Sequence, residues 1–197
     1  IDLCGGTGAW SKPYSDAGYD VRLVTLPEHD VRTYVPPDNV YGILAAPPCT
    51  EFSFAKNHKI PKDFDNGLEI VNACIKIIEC CSPTFHAIEN PSGYLRQWLD
   101  KPQFVFQPYW FGDAWTKKTD IWGRFNKPRM QYLRWEDVPK LDKLYIRPGR
   151  KKPSIAFLHK SAQTLIPQLA EYRCDTDADF RSITPPGFAN AFFKANK

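Results

Sequence analysis

The sequence predicts an α/β domain built on a mostly parallel sheet, and three observations carry that reading. Short apolar runs alternate with stretches of helical spacing. A glycine-rich turn joins the first apolar run to the first helix. Three polar clusters, GGTG, PPCTEFS and ENPSG, each follow an apolar run. In sheets whose strands alternate with helices, the connections are right-handed crossovers, and ligands gather beyond the carboxyl ends of the strands.

The elements follow in order. IDLCGGTGAWSKPYSDAGYDVRLVTL reads as a strand end, a glycine turn, a helix, and a second strand from about Asp20 to Leu26. GILAAPP supplies a third, buried strand, stopped by Pro47 and Pro48. From Asn66 to Cys81, Leu68, Val71, Ile75 and Ile78 recur at helical spacing,. FHAIEN, from Phe85 to Asn90, is again a short apolar strand with polar residues at its end. FVFQPYWFG and KKTDIWGRF read as two further strands. From about Asn126 to Asp179 proline, aromatic and basic residues mix without a period, which marks an irregular insertion or small subdomain.

Composition narrows the function classes. A chain of 197 residues with 43% hydrophobic residues fits one globular domain with a real core,. No run of about 18 apolar residues is present, so no transmembrane helix and no membrane partner are expected. The six cysteines, Cys4, Cys49, Cys74, Cys80, Cys81 and Cys174, lack the spacing of a disulfide framework. With no CxxC pair and no histidine cluster, a metal site is not expected, and a reducing, cytoplasmic setting fits best. The net charge of +4 permits a polyanionic partner without demanding one,.

Four groups of residues carry candidate chemistry. Gly5, Gly6 and Gly8 sit between a strand ending at Asp2 and a helix. They serve either a structural turn or a loop around a nucleotide-type cofactor; the spacing is not the pyrophosphate-binding GxGxxG. Glu28 and Asp30, in LPEHD after the second strand, are candidate acceptors for a ribose or adenine amino group, or solvated loop charges. Cys49 follows two prolines that fix φ and remove two backbone donors, so it stands at a stiff loop entry as a candidate nucleophile,. Glu89 and Asn90 end a later strand; a carboxyl at the rim of an apolar sheet holds its proton more tightly and can donate it. Asn-Pro is equally a common turn signal.

Taken together and in this order, the motifs resemble those of the DNA cytosine-5 methyltransferases. DLCGGTG looks like the family's cofactor loop, APPCTEFS like its proline-cysteine motif, and ENPSG like its glutamate-asparagine motif. FGDAWTKKTDIW, Phe111–Trp122, is similar to a strand-borne motif that usually carries a glutamine and two alternating arginines; here Trp115, Lys117 and Thr119 stand in their places. The cofactor loop has Cys4 where an aromatic residue is usual, and the segment between Val24 and Cys49 is short enough to suggest a lost helix. RSITPPGFANAFFKAN occupies the place of the C-terminal motif that packs back on the cofactor site. The resemblance covers residues 1 to about 125 and, more loosely, 181–196.

The resemblance implies a Rossmann-like S-adenosylmethionine-dependent methyltransferase fold with helices on both faces of the sheet. It implies a catalytic core over 1–125, a short target-recognition region over 126–180 and a returning C-terminal segment over 181–197. The implied chemistry is methyl transfer from S-adenosylmethionine to C5 of cytosine in DNA, with S-adenosylhomocysteine as the other product. Cys49 would add to C6, Glu89 would donate a proton to N3, Asn90 would orient the loop of Cys49, and Lys117 would help hold the base. Asp2, Leu3, Cys4, Gly5, Gly6, Thr7, Gly8, Trp10, Leu26, Glu28, Asp30, Pro47 and Asn190 would surround the cofactor. Ser53, Lys118, Arg147, Arg150, Lys151 and Lys152 would meet duplex DNA from which a cytosine has flipped, with Tyr132, Trp135 and Tyr145 near the basic loop. A monomer in the cytoplasm of a bacterium or phage-infected cell is expected, with restriction partnership, protection of viral DNA and regulation all open. The same chemistry on RNA or on a free nucleotide, and a catalytically idle binding module, stand as alternatives.

Overall fold

The computed structural model describes residues 1–54 and 60–197, so the end of the polar segment after Cys49 lies outside the described residues. The chain forms β1 (Asp2–Leu3), α1 (Lys12–Asp16), β2 (Leu23–Val24), β3 (Gly42–Ala45), α2 (Phe64–Cys81), β4 (Phe85–Pro91), α3 (Arg96–Leu99), β5 (Phe104–Phe106), β6 (Thr119–Arg124), α4 (Asp177–Ser182) and α5 (Pro186–Ala195). The strands make one six-stranded sheet in the order β2-β1-β3-β4-β6-β5. β2, β1, β3 and β4 pair in parallel, whereas β6 runs antiparallel to both its neighbours, β4 and β5. The architecture is therefore α/β with a mostly parallel but mixed sheet, consistent with a Rossmann-like fold.

Side chains alternate across the strands and both faces are covered. Ile43 and Ala45 of β3 and Ile88 of β4 face α2, where Val71, Cys74, Ile77 and Ile78 are buried. Leu44, Phe85 and Ala87 point the other way, into a cluster with Trp10 from the loop before α1 and Tyr14, Phe106, Phe188 and Phe192 from α1, β5 and α5. Period-two burial on both faces is what a central parallel strand requires. α2 starts where the Asp63 carboxylate accepts the Asn66 amide at 3.0 Å and ends at Ser82 in the left-handed region,.

Two strand expectations shorten. The second strand is only Leu23–Val24, and FVFQPYWFG is a strand over Phe104–Phe106 alone. Pro108 offers no backbone donor to continue a ladder, and Pro108–Phe111 closes into a 3-10 turn,. Residues 126–176 contain only short 3-10 turns, but they are not coreless. Leu144, Ile155, Leu158, Ile166, Leu169, Phe180 and Ile183 bury themselves around Trp115 and Ala9. No helix among the described residues is long and apolar enough to cross a membrane.

α5 closes the second face. Phe188, fully buried, stacks on Phe106 with centroids 3.9 Å apart and also meets Trp10, Phe111 and Phe192. Phe188→Ala is expected to cost about 3–5 kcal/mol of unfolding free energy. Urea denaturation measures it; a loss below about 1 kcal/mol would contradict this packing.

Candidate active site

Strand order reverses at β1, which has β2 on one side and β3 on the other. Crossovers to opposite sides leave a crevice beyond the carboxyl end of such a strand. The glycine loop from Cys4 to Gly8 lies at that point. Gly6 and Gly8 have φ of 53° and 71°, and a Cβ on Gly6 would meet nothing within 4 Å, so the loop presents bare backbone to open space,. A Cβ on Gly5 would stand 2.5 Å from the Asp2 carboxyl carbon, so the loop folds tightly over Asp2. Asp2 itself is fully buried; Oδ2 accepts the Ser11 hydroxyl at 2.6 Å and Oδ1 has no partner among the described residues. Burial raises this carboxyl to about 6 against the lowering by Ser11.

Other residues assigned to the cofactor divide. Leu3 is fully buried in the α2-side core, and Trp10 is 2% exposed between Phe188 and Phe192. Both side chains pack into the core and support the loop from behind. Asn190 is exposed on α5, donates to the Pro186 carbonyl and lines a groove with Lys127, Arg129 and Met130. Cys4 has φ 54°, and its side chain packs against the α2-side core that contains Cys74. Thr7 is half-buried in the loop, while Leu26 and Glu28 are exposed beyond β2. Asp30 already accepts Nε and Nη2 of Arg32, which pulls its carboxyl down to about 2. A ribose would have to share it with that guanidinium.

The acid and the thiol lie at the next pair of strand ends. β3 and β4 are neighbours, so their carboxyl ends carry Pro47-Pro48-Cys49 and Glu89-Asn90 side by side. Asn90, fully buried, donates from Nδ2 to the Pro47 carbonyl at 2.9 Å and so ties the two ends together. Beyond the thiol, the Cys49 carbonyl accepts the Phe52 and Ser53 amides at 3.0 and 2.8 Å. Phe52 is fully buried against Phe64 and Trp98, its ring end 2.8 Å from where a Cβ on Gly67 would stand. Its carbonyl accepts the Tyr94 amide at 2.8 Å, and Ser53 bridges to Gly93. The Cys49 loop is thus gripped on both sides of the thiol.

Glu89 is 8% exposed, and the Lys117 ammonium lies 3.8 Å from its Oε1. Burial raises the Glu89 carboxyl, opposed by Lys117 and reinforced by Asp120. Burial likewise pushes the Cys49 thiol up, with Lys117 pulling it down and Glu89 adding to the rise. One ammonium therefore acts on both groups. Lys117 is itself held: its amide donates to Oε1 of Gln107 at 3.1 Å, and its carbonyl accepts the Thr119 hydroxyl at 2.8 Å. Thr119, where the resemblance expects an arginine, is fully buried and fixes this backbone instead of reaching outward. Trp115 is buried in the core of the insertion.

Behind the acid lies a network that the sequence reading missed. The buried Asp120 carboxylate accepts Nε and Nη2 of Arg96 and the Ser92 hydroxyl, each at 2.6 Å. It braces β6 against the turn after Asn90. The available signal was a lone carboxylate inside an otherwise buried strand, TDIW. Gln107 gave no such signal.

The basic loop reaches the same place. The Thr116 amide donates to the Pro153 carbonyl at 2.9 Å and the Ile155 amide to the Thr116 carbonyl at 3.1 Å, which pins residues 153–155 beside Lys117. A cleft of about 480 Å³ results, lined by Lys117, Lys118, Arg150, Lys151, Lys152 and Tyr109 among others. Arg147 covers the Phe157 ring at 4.6 Å, and Lys152 sits over Tyr109 at 4.6 Å and Trp135 at 5.6 Å. Tyr145 is exposed, and Tyr132 packs beside Gly112, away from the cleft lining. Another cavity, of about 320 Å³, opens at the amino ends of the strands near Tyr14, Tyr41 and Phe85, away from Cys49 and Glu89. Among the described residues no group of three His, Cys, Asp or Glu side chains is placed to hold a metal ion.

No family model matches this chain, and no curated protein is significantly similar to it.

Proposed function

We propose that the chain is a cytosine-5 methyltransferase of nucleic acid, with Cys49 as nucleophile and Glu89 as acid. The observation that carries this reading is the Asn90–Pro47 hydrogen bond, which sets a thiol and a carboxyl, both raised by burial, at adjoining strand ends with Lys117 acting on both. Cytosine C5 is a poor nucleophile until a thiolate adds to C6. Cys49 makes that addition, and Glu89 delivers a proton to N3, so that electron density reaches C5. C5 would then take the methyl group of the bound donor; loss of the C5 proton to solvent, expulsion of the Cys49 thiolate and return of the N3 proton to Glu89 restore the ring. A nucleophile and an acid at the edges of one planar ring meet that need.

S-adenosylmethionine fits the crevice beyond β1 as a methyl donor. The bare Gly6–Gly8 backbone and the orphaned Asp2 oxygen offer a cradle without a phosphate-binding spacing. Cys4, Thr7 and the Glu28–Asp30 turn would flank it; Pro47 stands between this crevice and the acid–thiol pair. The finer assignment of the sheet to the methyltransferase fold belongs to the same proposal.

The test is product identification. The protein, incubated with methyl-labelled S-adenosylmethionine and cytosine-containing DNA, single-stranded DNA, RNA or dCMP, is expected to place label on C5 of cytosine in at least one. Mass spectrometry of the digested nucleosides reads it. Label on N4, or on none of the substrates, would overturn the proposal.

A further inference from the structure

We infer that the cleft beside Lys117 holds an unpaired polynucleotide strand, so that the substrate is single-stranded and not duplex. This rests on the reading that a pyrimidine base reaches Cys49 and Glu89. Three observations point to it. First, Lys118, Arg150 and Lys151 are exposed, Lys152 partly so, and none of the four is paired with a carboxylate among the described residues. Four unneutralised cations along one short cleft match a phosphate backbone.

Second, rings are interleaved with those cations. Tyr109 lies half-exposed under Lys152, and Phe157 is 39% exposed at the cleft wall. Unpaired bases stack on such rings whatever their identity, whereas the bases of a duplex are already stacked on one another. Third, the described part of the insertion offers nothing shaped for a groove. A major groove takes an α-helix or a two-stranded ribbon. Residues 126–176 instead provide 3-10 turns of three to six residues, and the α4 that follows is six residues long with Asp177 and Asp179 in its first turn. A strand that arrives unpaired also needs no flipping step to deliver its base.

Fluorescence anisotropy with the full chain tests this without requiring turnover. The probes are 12-nucleotide single strands of DNA and of RNA, free of self-pairing, and the matching DNA duplex. At least one single strand is expected to bind about tenfold or more tightly than the duplex; which one identifies the sugar. Tyr109→Leu and Phe157→Leu, which leave the charge intact, are each expected to weaken single-strand binding by about fivefold or more. The Arg150→Ala, Lys151→Ala, Lys152→Ala triple variant is expected to flatten the slope of log affinity against log salt by about 2. Equal or tighter duplex binding, or ring variants that bind as wild type does, overturns the inference. Single-strand binding without any 5-methylcytosine keeps the cleft assignment and removes the methyltransferase reading. Methylation confined to duplex does the reverse.

Discussion

Replacing Cys49 with alanine is expected to lower methyl transfer to cytosine by at least about a thousandfold, because the mechanism needs a thiolate to add to C6 and Cys49 supplies it. The loss should be chemical and not structural. Cys49 is half-buried, and the loop is held by its carbonyl, by Phe52 and by the Asn90–Pro47 bond, none of which uses the thiol. Unfolding free energy should therefore change by no more than about 0.5 kcal/mol. Turnover assays beside urea denaturation check both halves. Undiminished turnover removes Cys49 from the mechanism, and a collapse in stability would show that the thiol is a packing group.

Glu89→Gln is expected to lower turnover by about 10²–10⁴-fold and to change the shape of the pH profile. Burial raises both the Glu89 carboxyl and the Cys49 thiol above their ordinary values. The acid is competent below its raised pKa and is lost as pH rises through it. The thiolate is scarce below the raised thiol pKa and grows tenfold per pH unit toward it. Between the two values the gain and the loss cancel, so the wild type should show a plateau, falling on its acid side at the carboxyl pKa. Glutamine keeps an N–H for N3 but has no proton to lose, so only the thiolate dependence remains. The variant's log rate should then climb with unit slope across neutral pH. Parallel profiles for the two proteins would exclude Glu89 as the proton donor.

What the sequence disclosed, and what it concealed, follows from the range of the forces involved. The alternation in GILAAPP and FHAIEN and the helical spacing of Leu68, Val71, Ile75 and Ile78 are local, and they located β3, β4 and α2. Cys49 and Glu89 were legible because strand ends in a parallel sheet are adjacent by construction of the fold. The antiparallel course of β6 was not legible, since register against β4 depends on partners distant in the chain. Trp10 shows the same limit: next to a glycine loop it reads as a ligand contact, and the packing of its ring on Phe188 and Phe192, 178 and 182 residues further on, is invisible locally. The insertion lacks any period because its core is assembled from single residues on 3-10 turns around Trp115. Lys117 was visible as a basic residue, yet its hold on both Glu89 and Cys49 is a property of three strand ends together.

The central claim is that Cys49 forms a bond to C6 of a cytosine whose N3 faces Glu89. An oligonucleotide carrying 5-fluorocytosine tests it most directly, since fluorine at C5 cannot leave as a proton does and the adduct is trapped after methyl transfer. With S-adenosylmethionine present, the protein should shift to the mass of a one-to-one covalent complex, and peptide mapping should place the nucleotide on Cys49. A complex absent under conditions where unmodified cytosine is methylated, or a nucleotide mapped to Cys4 or another cysteine, would contradict the account.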